Sequence, residues 1–411
     1  MKKNAMKTHT RAWFAALLLG VAAGYAPAQT PAPAQESVRA EIGKSLQGAQ
    51  ELMKAGKFRE ALAKVREADA APNPTAYERF ILDRMRGSAA AGAGDEVVAS
   101  RSFEAALASG RLQPAEALAI LEALASSAYR TKDYAKAIEV AQRYFKEGGK
   151  SEPMRNLMTS AHYLSGDHAG VIRDMQQRVQ AVEQSVPVVD ETTLRMLAAS
   201  YAKLGDDAGY ANTLEKLLVH HPKKDYWEDR LTRLQNSAAF SDRLMLDLYR
   251  LRLATGTLDS TEQYFEMAQL ALQAALPFEA KRVVDLGYAA GKFGSGAEAE
   301  RHKRLRELVN RQAAEDEKAL RVEVVGRTGE ALVNMGQALV SAGRYDKGIE
   351  LLEHGVAKGG LKRPEDARLH LAVAYFQGGS KPKAVETFKA VRGGEGVADL
   401  ARLWGIHASR N

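Results

Sequence analysis

The glycine-rich string GYAAGKF, residues 287–293, looks at first like a phosphate-binding loop. Such a loop needs four residues between its glycines, a serine or threonine after the lysine, and a strand before it. Here three residues separate Gly287 from Gly291, Phe293 follows the lysine, and the preceding segment has a helical pattern. The sequence therefore argues against nucleotide binding at this position.

Histidines and carboxylates offer no better arrangement for catalysis or metal binding. His220 and His221 lie together beside a proline, and His162 and His168 are six residues apart, which places them on different faces of a helix. Acidic runs such as 315–317 are usually solvated helix faces. The chain has no cysteine, which excludes thiol catalysis, cysteine zinc sites and disulfides. We expect no catalytic residue, no metal and no cofactor.

The first 28 residues have the three parts of a secretory signal peptide. Basic residues precede an apolar segment over 12–23, and a small-residue cleavage site follows at 26–28. The alternative is a membrane anchor, but a bilayer span needs roughly 20 apolar residues. We therefore predict cleavage before Gln29, a Pro/Ala linker over 29–37, a periplasmic location and no stable membrane insertion.

The overall charge of +7 overstates how basic the mature protein is. The predicted signal peptide contains four of the 58 basic residues and none of the 51 acidic ones, which leaves 54 against 51, or +3. A nearly neutral surface with mixed charges gives little reason to expect nucleic acid as a partner.

Glycines recur at a fixed spacing in segments that otherwise look helical. Gly287 and Gly291 precede Gly355 and Gly359 by 68 residues, or two units of 34. Glycine weakens a helix, so close helix packing is the expected reason for Gly348 and Gly355. A period of 34 resembles the tetratricopeptide repeat, in which two antiparallel helices carry small residues at their crossing.

The rest of the chain follows this pattern in about ten units. The clearest begins at Glu191, where Leu194, Tyr201, Gly205 and Pro222 occupy repeat positions 4, 11, 15 and 32. Units near 80–115, 225–258 and 295–327 match poorly. With few aromatic residues and no alternating apolar pattern, the sequence predicts an all-α fold, a right-handed α-solenoid of about ten helical hairpins. The residue immediately before each unit is at about 41, 79, 117, 151, 190, 224, 260, 294, 328 and 364.

A proline-containing connection divides the repeats into two groups. The string EQSVPVVDE around Pro187 lengthens the link between the fourth and fifth units. We predict N-terminal units over 38–186 and C-terminal units over 187–411, with a bend near 183–192 as one possible arrangement.

A solenoid of this type offers a concave groove lined by the first helix of each unit, where a peptide can bind. For each aromatic residue in the groove, packing between neighbouring units is the alternative. The repeat positions predict a groove lined by Tyr129, Arg130, Asn156, Ser160, Tyr163, Arg195, Lys203, Phe265, Gln269, Gln337, Phe376 and Gln377.

A narrower likeness covers residues 221–293. A Tyr-Trp pair at 226–227 enters a helix, a leucine-rich segment follows, and an LPFEA turn around 277–278 leads to the glycines at 287 and 291. This succession resembles the periplasmic tetratricopeptide proteins that accompany TonB, ExbB and ExbD energy-transduction genes. The resemblance implies an accessory role at the cell envelope.

Two functions from different classes remain open at this point. The first is a non-catalytic periplasmic scaffold that binds a protein or peptide in its groove, with a TonB-system component as candidate partner. The alternative is a binding module for cell-wall polymer or for outer-membrane assembly clients. An enzyme ranks behind both.

Overall fold

The computed structural model describes residues 36–185, 188–320 and 328–410, and these residues form twenty α-helices. The predicted signal peptide, most of the linker over 29–37 and Pro187 lie outside the described residues. The chain divides into two compact units, Met1–Val171 and Ile172–Asn411, and the boundary falls within one helix. The hinge near Pro187 stays a prediction.

The first unit consists of antiparallel helix pairs in which each helix packs mainly on its neighbours in sequence. Its helices are α1 (Ala40–Lys54), α2 (Phe58–Asp69), α3 (Ala76–Ala93), α4 (Glu96–Ala108), α5 (Pro114–Arg130), α6 (Tyr134–Lys146) and α7 (Glu152–Ser165), followed by α8 (His168–Ser185), which continues past the boundary.

The second unit begins with the same pairing and ends with an additional helix. Its helices are α9 (Glu191–Leu204), α10 (Asp207–His220), α11 (Lys224–Gln235), α12 (Met245–Ala254), α13 (Thr261–Gln273), α14 (Pro277–Ala289), α15 (Ala299–Ala319), α16 (Gly329–Ser341), α17 (Tyr345–Lys358), α18 (Pro364–Gln377), α19 (Lys381–Ala390) and α20 (Val397–Ala408). A single 3-10 turn over Asp242–Leu244 precedes α12.

The all-α prediction is confirmed, and the first helix of each predicted unit begins within about four residues of its expected position. One unit differs. Residues 299–319 form one continuous helix of 21 residues instead of the expected hairpin near 295–327. This segment contains no glycine or proline that would interrupt a helix, whereas most of the other hairpin turns contain a glycine.

Gly–Asp pairs make three of the hairpin turns, at 94–95, 166–167 and 205–206. Each glycine adopts the left-handed conformation at the end of one helix, with φ of 80°, 80° and 69° respectively. Each aspartate then caps the next helix, as Asp206 does by accepting a hydrogen bond from the backbone N–H of Gly209 at 2.8 Å. Two adjacent residues therefore end one helix and begin the next.

Helices α16 and α17 cross closely, and glycines make this close crossing possible. A Cβ atom built on Gly348 would lie 2.9 Å from the carbonyl oxygen of Gly336, and one on Gly355 would lie 2.9 Å from that of Gly329. These distances are shorter than real Cβ contacts allow, and the obstacle is backbone. The predicted close packing at Gly348 and Gly355 is confirmed.

The matching glycines near residue 290 have different roles. A Cβ on Gly287 would meet the ring of Phe293 at 2.8 Å, so this glycine makes room for an aromatic side chain from the following turn. Gly291 has a φ of +67° and ends its helix. The expected equivalence of Gly287 to Gly355 at a helix crossing is therefore wrong, although both positions exclude a side chain.

In the first unit, a buried carboxylate joins the start of α1 to the start of α3. Thr75 and Glu78 form a reciprocal capping box at the N-terminus of α3. Glu78 is fully buried and also accepts hydrogen bonds from the backbone N–H of Arg39 at 3.0 Å and its Nε at 2.9 Å. The side-chain bond from Arg39, with the backbone bonds from Arg39 and Thr75, lowers the pKa of Glu78 to about 2.

The end of the second unit packs back on its middle. Helix α20 contacts α10, α12, α18 and α19, and its buried Trp404 belongs to one apolar core with side chains of α11 and α12. Arg402 Nε donates to Glu215 Oε2 at 2.6 Å across 187 residues of sequence. A simple solenoid repeat contacts only its neighbours, so this unit is closed on itself by long-range contacts.

Candidate protein-binding surface

Helix α7 presents two exposed residues of the predicted groove in the first unit. Ser151 begins this helix by accepting a hydrogen bond from the backbone N–H of Met154 at 3.4 Å, and a proline stands in its first turn. Asn156 is exposed, and Tyr163 is 40% exposed. The ring of Tyr163 lies edge-on to His168, with centroids 5.8 Å apart.

Of the other three groove residues of the first unit, two are engaged in packing or pairing. Tyr129 is half-buried and packs edge-on against Tyr134, with ring centroids 5.7 Å apart. Arg130 is exposed, and its Nη2 lies 2.6 Å from Glu96 Oε1. Ser160 is half-buried on α7. Tyr129 therefore contributes to the helix pair, as the packing alternative predicted.

In the second unit, α9 and α13 carry four of the predicted residues. Arg195 and Lys203 are exposed on α9, and Gln269 is exposed on α13. Phe265 is half-buried beneath the guanidinium of Arg301, which lies 4.0 Å from the ring centroid. Such a cation–π contact stabilises the α13 to α15 packing.

The remaining three residues lie where the second unit closes. Phe376 is half-buried against Trp404 and His407 of α20, with centroid distances of 5.7 and 5.5 Å. Gln337 and Gln377 line a small cavity of about 30 Å³. A cavity of this size holds about two waters and no peptide. All three side chains are half-buried, and Phe376 is in addition packed against α20.

A buried charge cluster lies beside this cavity, and the sequence did not indicate it. Arg250 on α12 donates from Nη1 to Asp247 at 2.7 Å, and from Nη2 to Glu279 of α14 at 2.6 Å. His370 Nε2 of α18 lies 3.0 Å from Oδ1 and 3.1 Å from Oδ2 of the Asp247 carboxylate. The cluster joins three helices from distant parts of the sequence, so no local pattern could have predicted it.

The electrostatics of this cluster favour its charged form. Burial alone would raise the pKa of Asp247, but the charges of His370 and Arg250 and their hydrogen bonds hold that pKa well below its usual range. Burial would also raise the pKa of Glu279, and the Arg250 guanidinium outweighs this effect and lowers it. The arrangement is a satisfied internal ion network that fixes α12, α14 and α18 together.

Neither a metal cluster nor a spanning helix stands out in the part of the chain that the structure describes. In residues 36–185, 188–320 and 328–410, no group of three or more His, Cys, Asp or Glu side chains is arranged to hold a metal ion. Over the same ranges, no helix combines the length and the apolar character that crossing a membrane requires.

Comparison with known families identifies the repeated helix pairs. The sequence model of the tetratricopeptide repeat matches residues 84–152 and 333–397, one segment in each unit. These two segments are tetratricopeptide repeats. The first match includes most of the poorly matching unit near 80–115, and the second includes the glycine crossing of α16 and α17.

Comparisons over the whole length of the chain add little. The crystal structure of yeast Tom70 aligns with 90% of this chain and 94% of its own, at 13% sequence identity and a TM-score of 0.20. Values this low carry no structural or functional argument. No curated protein matches the sequence at a significant level.

The segment 221–293, which resembles TonB-associated proteins, lies outside both matched segments. Its distinguishing residues have structural positions: Trp227 is buried in the core of the second unit, and Pro277 begins α14. Tyr226 donates a hydrogen bond to Glu191. Its burial, together with this hydrogen bond, raises the pKa of Tyr226 to about 12. The likeness to that group of proteins stays a prediction.

Proposed function

We propose that this protein is a non-catalytic periplasmic scaffold that binds a segment of another protein on the first helices of its repeats. Tetratricopeptide repeats generally bind protein partners, and this supports the scaffold role. The narrower proposal, an accessory role in a TonB-type envelope complex, is supported by the residue pattern over 221–293 and by the signal-peptide composition.

One observation carries the choice of surface. On α7, Asn156 and Tyr163 are seven residues apart, or two helical turns, and both are exposed. An aromatic side chain and an amide on one helix face offer apolar contact and hydrogen bonding together, the combination found at the centre of protein interfaces. Arg130 at the end of α5 is also exposed, but its guanidinium is paired with Glu96.

The periplasmic location has its own test. The intact mass of the protein recovered from the periplasm should correspond to a chain that begins at Gln29. An uncleaved chain held in the inner membrane would contradict both the signal peptide and the proposed location.

Co-purification tests the partner. Tagged protein from a strain that expresses a complete TonB system should retain one of its components, and the double variant Asn156→Ala/Tyr163→Ala should lose it. Tyr129 is left unchanged because its ring packs on Tyr134. Two lost contacts at about 1 kcal/mol or more each should weaken affinity at least about thirtyfold.

The matched control lies on the second helix of a neighbouring pair. Gln142 and Lys146 are exposed on α6 and are one turn apart, so Gln142→Ala/Lys146→Ala should leave co-purification unchanged. Equal loss in both double variants would mean that the surface of α7 is not the binding site. Recovery of cell-wall fragments instead of protein would support the alternative function of a polymer-binding module.

A further inference from the structure

A second surface in the C-terminal unit has the form of a binding pocket, separate from the predicted groove. The pocket has a volume of about 550 Å³ and lies between the end of α10, the end of α19 and one face of α20. Its floor is apolar and buried, formed by Phe388, Val391 and Ala401. Pockets that bind ligands usually measure roughly 300–1,000 Å³, so this one has room for large side chains.

The apolar character extends to the rim. Val219, the penultimate residue of α10, is 47% exposed, and Ile406 of α20 is only half-buried. Single exposed apolar residues are ordinary on protein surfaces. Here the exposed Val219 and the half-buried Ile406 border a concave apolar floor. A bound apolar side chain would bury both residues and the floor together.

The charges around the pocket are all of one sign. Lys389, Arg392, Arg402 and Arg410 line it, and the lining contains no carboxylate. Arg402 is paired with Glu215 and Asp399. The other three differ, because none forms a side-chain ion pair with a carboxylate among residues 36–185, 188–320 and 328–410.

Two of these cations already point their guanidinium groups at carbonyl oxygens. Arg410 Nη1 donates to the carbonyl of Leu218 at 3.0 Å, and Arg392 Nη1 donates to the carbonyl of Val391 at 3.0 Å. A carbonyl is neutral, so these bonds hold both guanidinium groups at the rim without neutralising them. Fixed guanidinium groups are well suited to carboxylate recognition.

We infer that this pocket binds an acidic, amphipathic segment of a partner protein, with a leucine or phenylalanine side chain on the apolar floor and flanking aspartates or glutamates at Lys389, Arg392 and Arg410. The inference rests on the proposed scaffold function, since its occupant is a protein, and it names a second site and the chemistry of the partner that fits it.

The test uses purified full-length protein and a fluorescein-labelled peptide of alternating leucine and glutamate, measured by fluorescence anisotropy. Two matched peptides replace every glutamate by lysine or every leucine by serine. The leucine–glutamate peptide should bind, and its affinity should fall as the salt concentration increases, because the rim charges are exposed. Both matched peptides should bind at least about tenfold more weakly. Equal binding of the lysine peptide would overturn the inference.

Gly405 allows the pocket to be filled by mutation. A Cβ at this position would meet Phe388 Cβ at 3.7 Å, an ordinary contact, so a larger side chain can be placed there without a clash at its base. Gly405→Leu should abolish peptide binding, and Gly405→Ala should retain it. Binding retained by a folded Gly405→Leu protein would show that the peptide does not occupy this pocket.

Charge reversal gives a second measurement that does not depend on the core. Lys389→Glu/Arg392→Glu should weaken the leucine–glutamate peptide about tenfold, the effect expected from reversing two exposed charges. Lys303→Glu/Arg304→Glu on α15 makes the same charge change at exposed residues of the same unit and should have no effect. Equal weakening in both variants would mean that the peptide is attracted by the net charge of the protein and not by this pocket, and would overturn the inference.

Sodium laurate distinguishes a protein segment from a small amphiphile. If laurate binds and is lost in Gly405→Leu while the peptide does not bind, the pocket takes a fatty acid and the inference is wrong. The α7 variants that test the proposed function leave this pocket intact. Failure of co-purification therefore leaves peptide binding unaffected, and the two proposals can fail separately.

Discussion

The glycine crossing of α16 and α17 leads to a prediction that reverses the usual effect of a substitution. Replacing glycine by alanine inside a helix normally stabilises it by about 1 kcal/mol. At Gly348 the new Cβ would lie 2.9 Å from the Gly336 carbonyl oxygen and 2.9 Å from the Val340 nitrogen, where ordinary contact begins at 3.4 Å. Gly348→Ala should therefore force the two helices apart by about 0.5 Å.

The magnitude follows from what this separation removes. A gap of about 0.5 Å forfeits roughly a quarter of the dispersion energy across the interface. Overpacking of this kind costs about 1–3 kcal/mol, and the upper part of that range applies because backbone atoms cannot rotate away. After the helix gain of about 1 kcal/mol is subtracted, Gly348→Ala should lower the free energy of unfolding by about 1–2 kcal/mol.

Gly405→Ala is the matched control, because it is the same substitution in a helix of the same unit with an ordinary contact of 3.7 Å. It should raise the free energy of unfolding by up to about 1 kcal/mol. Urea denaturation followed by circular dichroism measures both, with equal m-values required for the comparison. If Gly348→Ala stabilises the protein as Gly405→Ala does, steric limitation at the crossing is refuted. Gly336→Ala added to the Gly348→Ala protein should lower the free energy of unfolding by less than Gly336→Ala does alone, because the two helices are already separated.

Three other measurements test the remaining contacts. Because the pKa of Glu78 is lowered from its usual 4.5 to about 2, the stabilisation that Glu78 contributes is present above about pH 4.5 and is lost as the pH falls to about 2. The melting temperature of Glu78→Gln should therefore depend less on pH over this range. An unchanged pH dependence of the melting temperature would contradict the role of Arg39. Trp404→Ala should cost about 3–5 kcal/mol in urea denaturation, since the ring is buried between Phe388 and Phe376, and a loss below about 1 kcal/mol would mean that α20 is not part of the core. Arg250→Met should cost about 3–5 kcal/mol by leaving two buried carboxylates without their shared cation, and nuclear magnetic resonance titration should show higher carboxyl pKa values.

Most of the fold could be predicted because its information is local. Gly205 and Asp206 end one helix and begin the next within two residues, and the small residues of α16 and α17 recur at repeat spacing. The unit near 295–327 matches the repeat pattern poorly, and over 299–319 it is one helix because this segment has no turn residue.

The surface could be predicted only in part. Exposure of Asn156 and Tyr163 follows from repeat position, since the first helix of each unit has one outward face. The position of Phe376 depends on Trp404, and that of His370 depends on Asp247, 123 residues earlier. Contacts between distant segments leave no periodic signal in the sequence, so the closure of the second unit and the pocket beside α20 required the structure.

The return of α20 to α10 and α12 limits how this protein can change in length. In an open array, a repeat can be gained or lost with little effect on the others, because each contacts only its neighbours. Between Glu215 and Arg402 the number of helices is fixed, since one extra hairpin would move the two ends of the ion pair apart. Repeat insertion should therefore be tolerated among α1 to α7 and rejected between α12 and α18. The same closure should make the second unit lose its structure in one step and fold more slowly than an open array of equal size.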